Sequence, residues 1–279
     1  MIALAAAASR CGRGKPVASL GASPVAIRLG YPESALLHFD WSPSAALQPS
    51  GGNPTVFVHV LDDKRAVRRT FDHPFPGTWS VGKAVSYDIE LYQSALAAPL
   101  PPGTYRLTAG LYDPSSGRRW GLATPGAELG RNEYRIGSLE VPAAGPAPSG
   151  RFDFEGQWGP VEPDPSLQVL ARRRLSGPAS LRFSAAPGSR GSVRLALTVR
   201  ADALGVESDC ERAPGAPQRL EPGYHWIGFD LPPSGICNIR FPDAPARTSG
   251  DAQTLESAAR NAAAPLTSLD VAAWRLAPR

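Results

Sequence analysis

The sequence is poor in the residues from which catalytic and metal sites are most often built. Its 279 residues include three cysteines and four histidines, and their spacing does not match a zinc site. The motifs of serine hydrolases, zinc proteases, P-loop proteins and dinucleotide-binding proteins are also missing. These absences predict a protein that is not an enzyme and that has no metal site and no cofactor.

Long apolar runs are missing as well. The N-terminal stretch Met1 to Cys11 is small and apolar and then turns basic, but it is too short to span a membrane. It lacks the basic beginning of a complete signal peptide, so we interpret residues 1–17 as a signal-peptide remnant or a disordered N-terminus. Ala6 to Ala8 fits a cleavage site. Arg10 stands where a lipobox has a small residue, which argues against a lipid anchor at Cys11.

Lysine is scarce, and the positive charge comes almost entirely from arginine. The only lysines are Lys15, Lys64 and Lys83, and the net charge is +4. The densest basic cluster is the run Arg172 to Arg174. Because nucleic-acid binders usually show a broader basic patch with a recognisable motif, we interpret this run as a solvated strand end and predict no nucleic-acid partner.

Glycine and proline, in contrast, are abundant, with 28 and 30 residues. This usage is above the average and favours short strands joined by turns. The stretch "PPGTYRLTAGLYD" shows the pattern, because Tyr105, Leu107, Ala109 and Leu111 alternate with polar residues after a Pro-Pro-Gly turn. A period of two predicts a half-buried strand, and several such segments predict an all-β protein.

The segment "VPAAGPAPSG" is the best candidate for a linker, since it is rich in small residues and shows no apolar periodicity. We therefore predict a first domain over residues 18–141, a linker over 142–150 and a second domain over 151–279. The strand pattern of the first domain is typical of an immunoglobulin-like or fibronectin-like sandwich, and that of the second is typical of a jelly roll. Thr254 to Ala264 is the one stretch that resembles a helix.

Individual strands can be predicted from the most apolar runs. Thr55 to Leu61 is the most apolar of them and is expected at the centre of a sheet. Ala179 to Phe183 and Val193 to Val199 are expected to pair around the turn at Pro187-Gly188. Leu269 to Leu276 is expected to form the last strand.

Two cysteines, Cys210 and Cys237, fall in the same predicted domain. In an oxidising compartment they can form a disulfide, which would stabilise the fold by roughly 3–4 kcal/mol on the chain-entropy model. The alternative is a pair of buried free thiols.

The first half carries a family resemblance. "VFVHVLDDKRAVRRTFDHPFPGTWSVGKAVSYDIEL", followed by "PPGTYRLTAGLYDPSSGRRW", resembles the sandwich domain found beside bacterial membrane glycosyltransferases of the mannosyltransferase-like type. The matching positions are Phe57 to His59, Asp62-Asp63, Asp72 to Pro74, Trp79 with Gly82, and Pro101 to Asp113. The resemblance covers about residues 25–122. It implies a sandwich fold associated with envelope glycan, and it carries over no catalytic role.

The second half resembles galactose-binding-like jelly rolls in "FEGQWGPVEP", "LSGPASLRF", "LEPGYHWIGFDLP" and "LDVAAWRL". Domains of that kind often bind carbohydrate, and others are purely structural. The sequence departs from their pattern over Asp243 to Ala264, so the resemblance does not carry over a ligand site.

Sugar binding requires aromatic faces that stack on a pyranose ring and polar side chains that bond its hydroxyl groups. Trp158 is expected to be exposed, because it lies in the loop-like stretch Gly156 to Pro160. Trp226 lies within an apolar strand, where core packing is the alternative. The candidate ligand-binding residues are Trp158, Trp226, Trp79, Asp72 and His73.

The leading hypothesis is a non-enzymatic exported protein, secreted, periplasmic or on the cell surface, that binds or organises surface glycan. The first alternative is a structural or assembly module that binds an envelope protein partner through sheet edges or exposed aromatic residues. The second alternative is a glycan-active enzyme with an unrecognised site, for which Glu155 and Glu162 would be the paired carboxylates.

Overall fold

A computed structural model describes residues 15–47, 53–143, 149–163, 171–200, 202–212, 219–244 and 267–277. Every regular element within these ranges is a β-strand, which confirms the all-β sandwich class. The helix-like stretch, the central residues of the predicted linker, and Cys11 with most of the predicted N-terminal segment lie outside these ranges. Among the described residues there is no helix with the length and apolar character needed to cross a bilayer.

The strands of the first half form two sheets. They are β1 (Ala18–Ser23), β2 (Ala26–Arg28), β3 (Ser34–Pro43), β4 (Thr55–Leu61), β5 (Val67–Thr70), β6 (His73–Pro74), β7 (Val85–Tyr92), β8 (Gly103–Tyr112), β9 (Arg119–Trp120), β10 (Leu122–Ala123), β11 (Glu128–Gly130) and β12 (Glu133–Val141). One sheet has the order β10-β1-β3-β7. The other has the order β11-β12-β8-β4-β5, with β2 on β12, β6 on β4 and β9 on β8.

The strands of the second half form one large sheet and one small one. They are β13 (Gly150–Pro163), β14 (Ala171–Ala185), β15 (Gly191–Val199), β16 (Leu204–Gly205), β17 (Glu207–Ser208), β18 (Glu211–Arg212), β19 (Arg219–Leu220), β20 (Gly223–Asp230), β21 (Ile236–Phe241) and β22 (Ser268–Leu276). The large sheet has the order β17-β21-β14-β22-β15-β20-β18, with β13 on β14. Strands β16 and β19 form the small sheet.

Strand β8 shows why these residues form strands. Leu107, Ala109 and Leu111 are fully buried on one face, as their alternation predicts. Ala109 pairs with Val58 of β4, which is also buried, so the two strands contribute to the same core. Thr108 on the opposite face is buried too, although its polar side chain predicts exposure.

The chain folds into two compact units, neither of which is continuous in sequence. Unit 1 comprises the described residues of Met1–Ala26, Leu37–Ile89 and Arg106–Ser138. Unit 2 comprises those of Ile27–Leu36, Glu90–Tyr105 and Leu139–Arg279. Two segments that precede the predicted linker therefore belong to the same unit as the large sheet of the second half.

The core of unit 2 includes a residue from one of these early segments. Leu96 is buried in an apolar cluster whose other members include Leu175, Leu181, Phe183, Leu195, Leu197, Phe229, Ile239, Phe241, Leu269 and Trp274. Main-chain bonds fix the early segments in place. The amide of Ala95 donates to the carbonyl of Ala272 at 2.6 Å, and the amide of Trp274 donates to the carbonyl of Pro32 at 3.3 Å.

The predicted pairing of Ala179–Phe183 with Val193–Val199 is wrong. In the sheet, β14 pairs with β13 and β21, and β15 pairs with β20 and β22. The C-terminal strand β22 lies between β14 and β15. Successive residues of β22 are buried, so both of its faces are covered and its most favourable place is inside the sheet.

Candidate functional site

Trp158, the tryptophan expected to be exposed, is half-buried at the edge of the unit 2 core. Its indole Nε1–H donates to the carbonyl of Ser180 at 2.8 Å. Its ring makes edge contacts with Phe154 and Phe241, with centroids 5.5 and 5.8 Å apart. The side chain therefore closes the core, because its ring and its polar atom already have protein partners.

Trp226 belongs to a cluster around a carboxylate, which we call the Glu90 cluster: Ser34, Glu90, Tyr92, Arg194 and Trp226 of unit 2. The indole Nε1–H of Trp226 donates to Glu90 Oε2 at 2.8 Å, and its ring stacks on Tyr92 with centroids 5.4 Å apart. The hydroxyl of Ser34 donates to Glu90 Oε1 at 2.6 Å. Arg194 Nε lies 3.3 Å from the same oxygen, at ion-pair distance but not in an aligned hydrogen bond.

The Glu90 cluster is structural. The Glu90 side chain is 8% exposed, and a carboxylate that is so shielded requires partners for both oxygens. Gly228 makes room for the arginine, since a Cβ at this position would lie 2.3 Å from Arg194 Nη1. The indole that the sequence suggested for ligand binding thus serves to satisfy an internal charge.

Trp79 has a comparable structural role in unit 1. Its Nε1–H donates to the carbonyl of Ala45 at 3.0 Å. Its ring contacts Phe75 and Trp41, with centroids 4.9 and 6.4 Å away. This aromatic group is packed against the protein rather than presented as an open platform.

His73 is hydrogen-bonded on both ring nitrogens. Nδ1 lies 2.9 Å from the carbonyl of Phe71, which can only accept, so Nδ1 carries the proton. Burial lowers the pKa of His73 and raises that of Tyr87, whose hydroxyl lies 2.7 Å from Nε2. The neutral ring therefore accepts from Tyr87, and neither nitrogen is left to act as a base on a ligand.

Asp72 has different partners from its neighbour. The hydroxyl of Tyr112 donates to its Oδ2 at 3.4 Å. Burial raises the pKa of Asp72, although the charge of His59 and the bond from Tyr112 oppose the change. Asp72 and His73 thus take up separate internal contacts.

Unit 1 also contains a network that sequence reasoning missed, the Glu133 cluster of His59, Thr108, Arg119 and Glu133. Glu133 Oε1 accepts from Thr108 Oγ1 at 2.6 Å and lies 3.0 Å from His59 Nδ1. Arg119 Nη1 lies 3.3 Å from Oε2. Burial would raise the pKa of Glu133, but these hydrogen bonds and charges together lower it to about 2. The sequence carried a partial signal, the polar residue His59 within the apolar run of β4, whereas its position opposite Thr108 follows only from the strand pairing.

Glu155 and Glu162 do not form a pair across a cleft. They lie on the one strand β13, where seven residues at about 3.3 Å each place them roughly 20 Å apart. Glycosidase carboxylates are about 5 to 9.5 Å apart. Glu162 instead lies 2.7 Å from Arg174 Nε and 3.8 Å from Arg172 Nε, so part of the arginine run is engaged within its own hairpin.

One open depression that is lined mainly by polar side chains lies in unit 2. This depression, which we call the disulfide cleft, has a volume of about 680 Å³. Its lining includes Glu207, Ser208, Cys210, Arg219, Arg240 and Asp243.

Strand pairing brings the charged residues of the disulfide cleft together. Glu207 on β17 is opposite Arg240 on β21, and its carboxylate lies 3.6 Å from Arg240 Nε. Gly205 on β16 is opposite Arg219 on β19. The carboxylate of Asp243 lies over Gly205, where a Cβ would be 2.7 Å from its Oδ2. Three strands and one turn thus supply two guanidinium groups and two carboxylates.

The floor of the cleft is cross-linked. Cys210 and Cys237 form a disulfide, one of the two alternatives that the sequence allowed. The carboxylate of Asp209 accepts from the amide of Asn238 at 2.7 Å and from its side-chain Nδ2 at 2.5 Å. These hydrogen bonds and the disulfide link the segment around Cys210 to β21. The charged side chains of the cleft therefore lie next to a constrained main chain.

The chemistry of the cleft is that of hydroxyl recognition. Guanidinium groups donate, carboxylates accept, and a hydroxyl group of a ligand can do both. The two arginines and two carboxylates cancel in formal charge. Throughout the described ranges, no group of three His, Cys, Asp or Glu side chains is arranged to hold a metal ion.

Comparison with known proteins adds little. No family model and no curated protein matches the sequence. One solved structure with similarity is the native conformation of E. coli alpha-2-macroglobulin determined by cryo-EM, with 13% identity and a TM-score of 0.26. The alignment covers 83% of this chain and 12% of that one. A similarity of this size supports no assignment of function, and the resemblance to the glycosyltransferase-associated sandwich stays a prediction.

Proposed function

We propose that this chain is an exported, non-enzymatic module that binds a neutral, hydroxyl-rich ligand of the surface-glycan class in the disulfide cleft. The observation that carries the proposal is a set of charged side chains with cancelling charge around a depression of about 680 Å³. Ligand sites generally have volumes of about 300 to 1,000 Å³ and a few convergent polar groups.

The balance of charge decides which ligand class fits best. A polyanion would be repelled by Glu207 and Asp243, and a polycation would be repelled by Arg219 and Arg240. A neutral sugar can form hydrogen bonds with these donors and acceptors without either repulsion. The described residues of the lining include no aromatic side chain, so we expect recognition of hydroxyl edges rather than stacking on a ring face.

Export is supported by the cross-link between Cys210 and Cys237, because disulfides persist mainly in oxidising compartments. The resemblance of residues 25–122 to the sandwich domain beside membrane glycosyltransferases points to the same setting. Together they favour a ligand that belongs to the cell envelope.

The assembly-module alternative has less support. Among the described residues, the large exposed apolar side chains other than one tyrosine are Val25, Val81 and Val161, and single exposed apolar residues are normal on protein surfaces. Strand β13 lies outside the main path of its sheet and carries two irregularities of register. Such bulges protect an edge against pairing with another chain.

The test is a glycan-array screen on the folded full-length chain, with the variants Arg219→Gln and Asp243→Asn in the cleft. We expect saturable binding to a neutral glycan that weakens at least tenfold in both variants. Trp158→Phe and Arg182→Gln, an exposed arginine of β14, serve as controls and should bind within about twofold of the wild type.

Two outcomes would overturn the proposal. If binding is lost in Trp158→Phe but kept in Arg219→Gln, the site is at the tryptophan and the cleft is wrong. If the well-folded protein binds no glycan at all, the assembly-module alternative takes its place.

A further inference from the structure

Unit 2 has a second cavity with different chemistry. Its volume is about 560 Å³, and the polar side chains in its lining are Arg190, Ser192, Asp230 and Arg275. We call it the arginine cavity. It shares no lining residue with the disulfide cleft.

Sheet register sets three of these residues in a row. Ser192 on β15 is opposite Asp230 on β20 and also opposite Arg275 on β22. Neighbouring strands are about 4.8 Å apart, so the Cα atoms of Asp230 and Arg275 are roughly 10 Å apart with Ser192 between them. Arg190 precedes the strand by one residue and completes the lining.

None of these four side chains has a hydrogen bond or ion pair with any other residue in the part of the chain that the structure describes. Arg194, two residues further along β15, differs because it lies 3.3 Å from Glu90. Ser192 is only 7% exposed as a residue, but its hydroxyl is not among the fully buried polar atoms without a partner, so the oxygen is accessible from the cavity. Within the described residues, the cavity therefore presents hydrogen-bond donors that no other side chain or main-chain group engages.

The charge of the cavity selects the ligand. Two arginines and one aspartate give a formal charge of +2 − 1 = +1, in contrast to the cancelling charges of the disulfide cleft. Guanidinium groups bind carboxylates with strong, often bidentate hydrogen bonds. The negative charge of Asp230 repels an anion that lies next to it. The same carboxylate can accept a hydrogen bond from a hydroxyl group of the ligand.

We propose that the arginine cavity binds a glycuronic acid, a sugar that carries both a carboxylate and ring hydroxyl groups. The carboxylate accepts from Arg275, Arg190 and Ser192, and a ring hydroxyl donates to Asp230. The row from Arg275 to Asp230 suits this ligand, because its acidic and hydroxyl ends lie on opposite sides of the sugar ring.

Calorimetric titration of the full-length protein tests the assignment with three probes: glucuronate, glucose and inorganic phosphate. We expect glucuronate to bind at least tenfold more tightly than the other two. Binding should weaken as ionic strength rises, because part of it is electrostatic. If glucose binds as tightly as glucuronate, the arginines do not recognise the carboxylate. If phosphate binds as tightly as glucuronate, the cavity is a general oxyanion site. Either result overturns the proposal.

Variants separate the two ends of the ligand. Arg275→Gln should weaken glucuronate at least tenfold, and Asp230→Asn should weaken glucuronate while leaving phosphate unchanged or tighter. Arg190→Gln provides a second variant at an exposed position in case Arg275→Gln does not fold. Arg182→Gln, which removes the same charge elsewhere on unit 2, should have no effect beyond about twofold.

The neutral-glycan site supplies an independent control. Because the two linings do not overlap, Arg275→Gln should retain the array binding assigned to the disulfide cleft. Loss of glucuronate binding with array binding kept supports the proposal, and unchanged glucuronate binding in both arginine variants contradicts it. Failure of the array experiment alone would leave the glucuronate result standing.

Discussion

The Glu133 cluster of unit 1 and the Glu90 cluster of unit 2 each shield one carboxylate, but they do so with different partners. Glu133 is held by a histidine, a threonine and an arginine, and Glu90 by an arginine, an indole and a serine. Histidine changes its charge near neutral pH, whereas a guanidinium and an indole do not. The comparison suggests that unit 1 responds to acid through the Glu133 cluster, because its hydrogen bonds and charges lower the pKa of that carboxylate.

The largest effect is expected for Glu90→Ala. The change leaves Arg194 without its counter-charge and the indole N–H of Trp226 without its acceptor, so the free energy of unfolding should fall by about 3–5 kcal/mol. Denaturant unfolding followed by tryptophan fluorescence measures it. In Glu140→Ala the lost ion pair with Arg28 spans 3.9 Å between exposed groups, and the cost should stay below about 1 kcal/mol. Equal losses of unfolding free energy in the two variants would show that the Glu90 cluster stabilises the fold no more than an exposed ion pair does.

The second effect concerns the covalent constraint in unit 2. Cys210 and Cys237 are 27 residues apart, and removal of such a link costs roughly 3.5 kcal/mol on the chain-entropy model. We expect reduction by a dithiol at pH 8 to lower the unfolding free energy by this order, since the thiolate is the reducing species. The double variant Cys210→Ser with Cys237→Ser should be insensitive to the reductant. A wild type that is equally insensitive would contradict the prediction.

We expect the free energy of unfolding of unit 1 to fall in acid because of Glu133. The pKa of Glu133 is about 2 in the folded protein and 4.5 ordinarily, so the carboxylate contributes its full stabilisation above pH 4.5. This contribution, on the order of 3 kcal/mol, is lost as the pH falls from 4.5 towards 2. Glu133→Gln should lack this loss, so its unfolding free energy should change less over that range.

The control for the acid prediction is Asp63→Asn, which removes an exposed carboxylate of the same unit. Its pH profile should follow that of the wild type. Parallel profiles for all three proteins would show that Glu133 does not carry the acid response.

The smallest effect is expected for Thr108→Val. The shape is kept, but the hydroxyl that donates to Glu133 at 2.6 Å is lost, at a cost of about 1 kcal/mol. With one hydrogen bond fewer, the pKa of Glu133 should rise, and the acid transition should begin at a higher pH. Unfolding measured between pH 2 and pH 5 tests both parts, and an unchanged transition would mean that His59 and Arg119 suffice.

Much of the strand pattern could be predicted because it is local. The alternation in "TYRLTAGLY" identified β8, and the apolar run from Thr55 to Leu61 matched β4 in full. The place of β22 between β14 and β15 could not be predicted, because turn positions do not specify which strands pair across a sheet. The Pro187-Gly188 turn connects two strands that are separated in the sheet by the C-terminal one.

The candidate site was less accessible to sequence reasoning. Trp158 has the local context of a loop, yet it lies in a strand, and the carbonyl that satisfies its indole belongs to Ser180 on the neighbouring strand. The arginines and carboxylates of the disulfide cleft come from three separate strands and one turn, and sheet register alone brings Gly205 and Arg219 together. Such contacts depend on tertiary pairing, for which the chain has no local signal.

Leu96 has a consequence for the order in which the protein is made. The same core cluster includes Leu269 and Trp274, so the leucine leaves the ribosome long before the strand β22 that carries them. Unit 2 can complete its core only after β22 has left the ribosome as well. A fragment that starts at Gly150 would have all the strands of the second half but would lack both Leu96 and Glu90, and we expect it to expose apolar surface and to aggregate.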